Sequence, residues 1–209
     1  NYFESEITRR HESAYVIQFP KDDDITNDQI AWIENYINRF ESTLYSDLLY
    51  NDYNKYIDFP SWVDYILINE ALKNNDVFHS STYLHKKKDG KLFAGPVWDF
   101  NLAMGNVNWG DSYLTEGWLM EKCYLVSRLY QDSIFVNEFN KRWNSLRKDL
   151  LATHTIKSLI NDYKNLLDKA QKNNYVRWPI LGKYIWPNRY VGYSYEDEIN
   201  YLEHWIQAR

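Results

Sequence analysis

Residues 84–106 read LHKKKDGKLFAGPVWDFNLAMGN, and this stretch carries the pattern of a β-hairpin. Asp89-Gly90 is a strong signal for a two-residue type I′ turn, because both central positions of that turn need positive φ. On each side of the dipeptide lies a segment that can form a short strand. A turn at this place pairs Lys88 with Lys91 and fixes the register of the hairpin.

The same register brings two carboxylates together. It sets Ser80 opposite Asp99, and Asp76 lies four residues before Ser80, so both acidic side chains are predicted at one end of the hairpin. That arrangement is fit to hold a metal ion and to position a nucleophile. The alternative is that each carboxylate is a turn cap or a solvated charge.

Asp99 stands in an apolar run, between Trp98 and Phe100. An unpaired charge in apolar surroundings is costly unless it meets a cation or hydrogen-bond donors. The run therefore predicts that Asp99 has a partner.

Length and composition bound the architecture. The chain has 209 residues and a mass of 25.3 kDa, with 44% hydrophobic and 18% aromatic residues. This is enough for one sizeable core or for one large lobe of a bigger protein, and it argues against disorder. We expect a single domain over residues 1–209.

Charge and cysteine content exclude several classes of function. The net charge of -5 gives no basic footprint for nucleic acid. Cys123 is the single cysteine, so the chain has no internal disulfide, and no Cys/His spacing resembles a zinc site. No apolar run approaches the ~18 residues of a membrane span, so we expect no membrane span.

Apolar periodicity predicts a mainly helical chain. One helix follows the cap Thr26, a second runs from Asp58-Pro60 to about Lys73 and is apolar on nearly all sides, and Ser194 caps the last. The sequence also predicts a short strand over residues 14–19, before the first helix, and a polar linker over 46–56. Farther along it predicts an irregular and mobile segment over 105–117, a helix around 135–150, and a helix over 156–170 capped by Thr153. Asn69-Glu70, inside the apolar helix, is predicted to hydrogen-bond to a nearby loop.

Several blocks of the sequence resemble the spore coat protein H (CotH) kinase family, which comprises atypical, secreted or surface-associated relatives of protein kinases. The blocks occur in the order of the family: Phe40-Glu41, Leu44-Tyr45-Ser46, Asn75-Asp76, Ser81-Thr82-Tyr83-Leu84, Gly95-Pro96-Val97-Trp98-Asp99-Phe100-Asn101, Gly105-Asn106, Arg142-Trp143, Arg177-Trp178-Pro179 and Trp186-Pro187-Asn188. Together they span most of the chain.

The resemblance implies an α+β, mainly α fold like the large lobe of a protein kinase, with a small β-hairpin at the active site. It also implies ATP- and Mg²⁺-dependent phosphorylation of Ser or Thr on a surface or spore-coat protein of a bacterium. By analogy with kinases, Asp76 would orient or deprotonate the acceptor hydroxyl, and Asp99 would hold the metal that bridges the ATP phosphates.

The chain departs from the kinase pattern at the second metal ligand and upstream. Ser81 stands where kinases carry a metal-binding Asn, and Asn101 stands where many family members have Asp. The sequence contains no glycine-rich loop and no strand-borne Lys with a partner Glu before the helices. Tyr2-Phe3-Glu4 resembles the junction with the small lobe, so we expect the nucleotide-clamping lobe to lie upstream of this chain.

Two other functions are compatible with the sequence. The kinase-like lobe could be a non-catalytic framework for coat assembly, adhesion or scaffold attachment, with Asp99 in a structural role. The 19 Tyr and 9 Trp would also fit a carbohydrate-binding module. The extracellular or spore-surface location is implied by the resemblance alone, and the sequence gives no oligomeric state.

Overall fold

The computed structural model describes residues 1–11, 13–46, 52–77 and 80–209. The predicted polar linker at 46–56 lies partly outside them, at residues 47–51. The described residues form a mainly helical structure with two small antiparallel sheets. In chain order the elements are β1 (Tyr2–Phe3), α1 (Glu6–Arg10), β2 (Tyr15–Val16), α2 (Asn27–Leu44), α3 (Phe59–Ala71), β3 (Leu84–Lys86), β4 (Leu92–Ala94), α4 (Tyr124–Leu129), α5 (Ser133–Leu146), α6 (Thr153–Leu166), α7 (Asp168–Arg177) and α8 (Tyr195–Ala208).

Helix α3 lies at the centre of the core, as its apolar character on nearly all sides indicates. The Asp58 carboxylate caps its first turn by accepting the Ser61 amide at 3.1 Å, and Pro60 lies in that turn. Trp62 and Ile66 are completely buried, and the Trp62 indole N–H donates to the Leu92 carbonyl at 3.0 Å. This bond ties α3 to β4 and places the first turn of α3 beside the hairpin.

Helix α2 holds the N-terminal segment against the core. Its Glu41 carboxylate is fully buried and accepts hydrogen bonds from the Ser5 hydroxyl and, at 2.7 Å, from the Tyr15 hydroxyl. Burial raises the pKa of Glu41, and the two hydroxyl donors oppose that shift. The predicted cap at Thr26 is confirmed, and it forms a capping box with Gln29.

The β3–β4 hairpin forms with a register one residue away from the predicted one. Leu84 pairs with Ala94 and Lys86 with Leu92, so the loop has five residues instead of two. The Gly90 amide donates to the Lys87 carbonyl at 3.0 Å, which closes a β-turn inside the loop. The Lys86 ammonium donates to three carbonyls of the same segment, those of Lys87, Lys88 and Gly90. That internal hydrogen bonding stabilises the longer loop.

The last helices differ from the prediction in two respects. The cap of α6 is Ala152 and not Thr153, which is the first residue of the helix. The helix also ends earlier than predicted, at Leu166, and a separate helix, α7, begins at Asp168. The apolar face of α6 is largely exposed, since Tyr163 and Leu166 are 56% and 75% accessible. Helix α8 begins at the predicted cap, Ser194, with a capping box.

The predicted strand over 14–19 is shorter in the structure and pairs with a segment that the sequence did not predict. Only Tyr15–Val16 is a strand, and it pairs with Tyr2–Phe3. Within the described part of the chain, no helix has the length and apolarity that crossing a bilayer requires.

Candidate active site

Asp76 follows the C-terminal end of α3, in a turn that its own backbone helps to close. Its carbonyl oxygen accepts the amides of Ser80 at 3.2 Å and Ser81 at 3.4 Å. The Asp76 side chain is half-buried, and Lys73, three residues earlier, has a left-handed φ of 45°. The left-handed residue redirects the chain after the helix, so that Asp76 starts the path toward β3.

Asp99 follows β4 and lies at the surface. The expectation of an apolar environment is wrong, because Val97 and Trp98 are 52% and 57% accessible and Asp99 itself is exposed. Gly95, with a φ of 118°, is buried, whereas residues 96–99 are exposed, so the chain leaves the core before Asp99. Asp99 has a φ of 60°, a conformation that Asp tolerates better than most residues.

Ser81 connects the two predicted site residues. Its amide donates to the Asp76 carbonyl at 3.4 Å, and its hydroxyl donates to Oδ2 of Asp99 at 3.3 Å. The structure therefore brings the Asp76 turn and the Asp99 carboxylate to one end of the hairpin. The expected partner of Asp99 is this hydroxyl, and within the described residues no Lys or Arg forms an ion pair with Asp99.

Asn74 joins the same two segments from the buried side. The side chain is fully buried, and its Nδ2 donates to Oδ1 of Asn69 at 3.0 Å and to the Trp98 carbonyl at 3.4 Å. Its Oδ1 has no hydrogen-bond partner among the described residues. Because Trp98 directly precedes Asp99, the side-chain amide of Asn74 positions the backbone next to Asp99.

Residues 111–117, which we call the 111–117 loop, have no regular structure but are extensively hydrogen-bonded. Side chains donate to every carbonyl of the loop except that of Ser112. The donors and acceptors are Lys73 Nζ to Asp111, Leu114 and Glu116 (3.0, 2.9 and 2.7 Å), Trp205 Nε1 to Tyr113 (3.0 Å), and Arg209 Nη1 to Thr115 and Gly117 (both 2.9 Å). The expected mobility finds no support at this loop, because nearly all its carbonyls are held.

Glu70 extends that network to the residues after the loop. It is 2% accessible, accepts the amides of Leu119 and Met120, and pairs with Arg209 at 2.6 Å. The predicted hydrogen bonds from Asn69-Glu70 to a nearby segment are thus confirmed. The ion pair is compensated by further hydrogen bonds, as buried charges require.

The side chains at the site are compatible with a magnesium ion shared with a phosphate ligand. Mg²⁺ is bound by oxygen donors, commonly one or two carboxylates completed by water and substrate phosphates. Asp99 offers an exposed carboxylate beside the Ser81 hydroxyl, which is such a set. Within the described residues there is no group of three or more His, Cys, Asp or Glu side chains that could hold a metal ion.

A groove of about 1070 Å³ begins beside the site. Ser80 and Thr82, on either side of Ser81, line one end of it. The rest of its wall is largely apolar and comes from residues 13–20, α2, β3 and residues 123–125. Its size and lining are those of a small-molecule site.

Sequence reasoning missed Lys73 and Arg209 as parts of the site region. Lys73 follows an apolar helix, where a lysine is ordinarily a solvated C-terminal cation. Arg209 is 139 residues from Glu70, and no local pattern links two residues so far apart. Only the folded chain shows their shared role.

One comparison with known proteins identifies the chain. A family model described as CotH kinase protein matches residues 3–209. No curated protein and no solved structure matches the chain at a significant level. Because the family model spans nearly the whole sequence, this kinase-like chain belongs to the CotH kinase family.

Proposed function

We propose that the chain is the large-lobe portion of an atypical protein kinase that transfers phosphate from ATP to Ser or Thr. The observation that carries the proposal is the double contact of Ser81, with the Asp76 carbonyl and with the Asp99 carboxylate. Membership of the CotH kinase family supports it. Positioning and electrostatics do most of the work of phosphoryl transfer, so the essential equipment is the Asp99 carboxylate that Ser81 holds beside the turn carrying Asp76.

The two carboxylates have different roles in this proposal. Asp99 binds Mg²⁺, which when present would neutralise charge on the transferring phosphates. Asp76 orients the acceptor hydroxyl and accepts its proton. Ser81 holds the Asp99 carboxylate toward the Asp76 turn, and Asn74 fixes the backbone before Asp99.

We assign the groove beside Ser80 and Thr82 to the nucleotide. Its apolar walls suit a flat aromatic base, and its lining residues Ser80 and Thr82 flank Ser81, which contacts Asp99. Ile33 lines the groove, whereas Ile30, on the same helix, does not. We expect Ile33→Trp to weaken ATP binding and Ile30→Trp to leave it unchanged in calorimetry; equal affinities in both variants would remove the nucleotide from this groove.

The acceptor and the location are proposed from the resemblance to the family. The acceptor would be a protein of the bacterial surface or spore coat, and the protein would be secreted or located at the spore surface.

Phosphotransfer is tested directly with radiolabelled ATP. The protein is incubated with Mg²⁺ and the labelled ATP, either alone or together with surface or coat proteins. Incorporation of label into Ser or Thr that disappears in Asp99→Asn supports the proposal. Undiminished labelling by Asp99→Asn would contradict the metal-binding role.

A non-catalytic role in assembly is favoured by a different observation, the exposed apolar face of α6. Leu166 is 75% accessible, and Val176 on α7 is 85% accessible. Exposed apolar patches commonly mark interaction sites. If assembly is the function, Leu166→Glu should abolish association with the coat, while Asp99→Asn has no effect on it. Association that survives in Leu166→Glu, together with phosphotransfer that is lost in Asp99→Asn, favours the kinase.

A further inference from the structure

Lys73 is a buried cation whose three ammonium donors are all used. The side chain is 2% accessible, and its three acceptors are carbonyls of the 111–117 loop at 2.7 to 3.0 Å. An ammonium group has three donors, so the set is complete. Burial lowers the pKa of Lys73, and the neighbouring Arg209 lowers it further. The loop carbonyls compensate for the lost solvation of the charge.

The same residue sets the backbone before Asp76. Lys73 has a φ of 45°, a left-handed conformation that is uncommon for a long side chain. Such a conformation persists only where surrounding contacts hold it. The contacts here are the main-chain bonds at the end of α3, among them the Asn74 amide to the Asn69 carbonyl at 3.0 Å, together with the loop carbonyls that receive the ammonium. The loop is therefore held against the residue at which the chain turns toward Asp76.

A second bond couples the loop to the Asp76 turn. Oδ1 of Asn75 accepts the Ser112 hydroxyl at 2.5 Å. Lys73 and Asn75 thus both hold the 111–117 loop, while Asn74 between them holds the Trp98 carbonyl. Three consecutive residues before Asp76 are therefore anchored to two different segments.

We propose that Lys73 is a positioning residue for phosphoryl transfer. By holding the 111–117 loop it fixes the turn from which Asp76 projects, although it touches neither nucleotide nor acceptor. This inference rests on the proposed kinase function. Displacement of a catalytic group by about 1 Å can lower a rate on the order of a hundred-fold, so the effect should appear in kcat.

The test compares Lys73→Met with a matched exposed control, Lys169→Met on α7. Both changes remove an ammonium group, but only the first removes the loop contacts. In Lys73→Met we expect faster hydrogen exchange at residues 111–117 and 74–77. We also expect kcat to fall by about ten- to a hundred-fold, with the KM for ATP unchanged. Lys169→Met should match the wild type in every measurement.

A stability-matched variant separates positioning from general destabilisation. Phe139→Leu lowers core packing in α5 without touching the loop. At a temperature where both variants are folded, it should leave kcat unchanged. An equal fall of kcat in Phe139→Leu and Lys73→Met would overturn the proposal. If Lys73→Met does not fold, Asn75→Ala replaces it and should show a smaller change in the same direction.

The measurements also distinguish failure of this inference from failure of the proposed function. If the wild-type protein transfers no phosphate, the kinase proposal fails. Hydrogen exchange at residues 74–77 then decides alone whether Lys73 couples the 111–117 loop to the Asp76 turn. Unchanged exchange there in Lys73→Met overturns the coupling, and accelerated exchange supports it. If the wild type is active and Lys73→Met has an unchanged kcat, the positioning role is wrong while the kinase proposal stands.

Discussion

The Ser81 hydroxyl lies 3.3 Å from Oδ2 of Asp99, and the main-chain amide of Ser81 contacts the Asp76 carbonyl. Ser81 thus contacts two acidic residues that are far apart in sequence, Asp76 through its main-chain amide and Asp99 through its hydroxyl. Since Asp99 is exposed, this single hydroxyl contact is the only described side-chain constraint on the carboxylate. The consequences can be tested by changing each acidic residue separately.

Replacement of Asp99 by Asn is expected to abolish Mg²⁺-dependent ATP binding and phosphotransfer. Asn keeps the shape and tolerates the φ of 60°, so the free energy of unfolding should change by no more than about 0.5 kcal/mol. Calorimetric titration with Mg·ATP and urea unfolding measure the two effects. Asp89→Asn, at the exposed hairpin tip, is the control, and tight Mg·ATP binding by Asp99→Asn would contradict the metal role.

Asp76→Asn is expected to spare nucleotide binding and to lower turnover. A residue that accepts the acceptor proton acts in the transition state, where general-base catalysis contributes about 10²- to 10⁴-fold. Steady-state kinetics should show that loss in kcat, with the Kd for ATP unchanged by calorimetry. A weaker ATP affinity with unchanged kcat would assign Asp76 to nucleotide binding instead.

Glu41→Gln is expected to change how stability depends on pH. Burial raises the pKa of Glu41 in the folded protein, so the folded state binds more protons than the unfolded state above the unfolded pKa of about 4.3. The contribution of this group to stability is present below the unfolded pKa and is lost as pH rises through the folded pKa. Gln does not ionise and should remove this component of the slope.

Urea unfolding of the wild type and of Glu41→Gln between pH 4 and 8 measures the Glu41 effect. The difference in unfolding free energy between the two proteins should change across that range. Glu34→Gln, on the same helix but outside the Ser5–Tyr15 network, is the control. Parallel pH profiles for wild type and Glu41→Gln would show that the buried carboxyl is not shifted.

Cys123 is expected to react slowly with alkylating reagents in the folded protein. Burial raises the pKa of its thiol to about 11, from an ordinary value of about 9. The thiolate fraction at pH 8 is then roughly a hundred-fold lower than in the unfolded chain. Iodoacetamide labelling with and without denaturant measures the ratio, and the folded-state rate should keep rising above pH 9. A folded-state rate that levels off at pH 9 would be inconsistent with the raised pKa.

The parts of the fold that the sequence predicted are those with local signals. Helices α2 and α8 begin with capping boxes at Thr26 and Ser194, and α3 begins with Asp58 and Pro60. The apolar residues of α3 surround the helix, so its burial could be inferred without knowing its partners. Asp89-Gly90 located the hairpin for the same reason, although neither residue has the positive φ that the predicted type I′ turn requires, and the turn closes between Lys87 and Gly90.

The hairpin register and the site contacts depend on interactions that no local pattern contains. The register shifted by one residue because the Lys86 ammonium stabilises a longer loop through backbone carbonyls. The apolar run around Asp99 predicts burial, but residues 96–99 lie at the surface after the buried Gly95. Apolar character alone does not determine whether a segment lies in the core.

Nearly all the hydrogen bonds to the 111–117 loop are received by carbonyl groups, which every amino acid possesses. Lys73, Trp205 and Arg209 therefore recognise the path of the main chain and not the identity of its side chains. Exposed positions such as Leu114 and Glu116 can accept new residues while the loop keeps its course. Substitutions at these exposed positions, whether natural or engineered, can change the outer surface beside Asp76 without removing the hydrogen bonds that hold the loop.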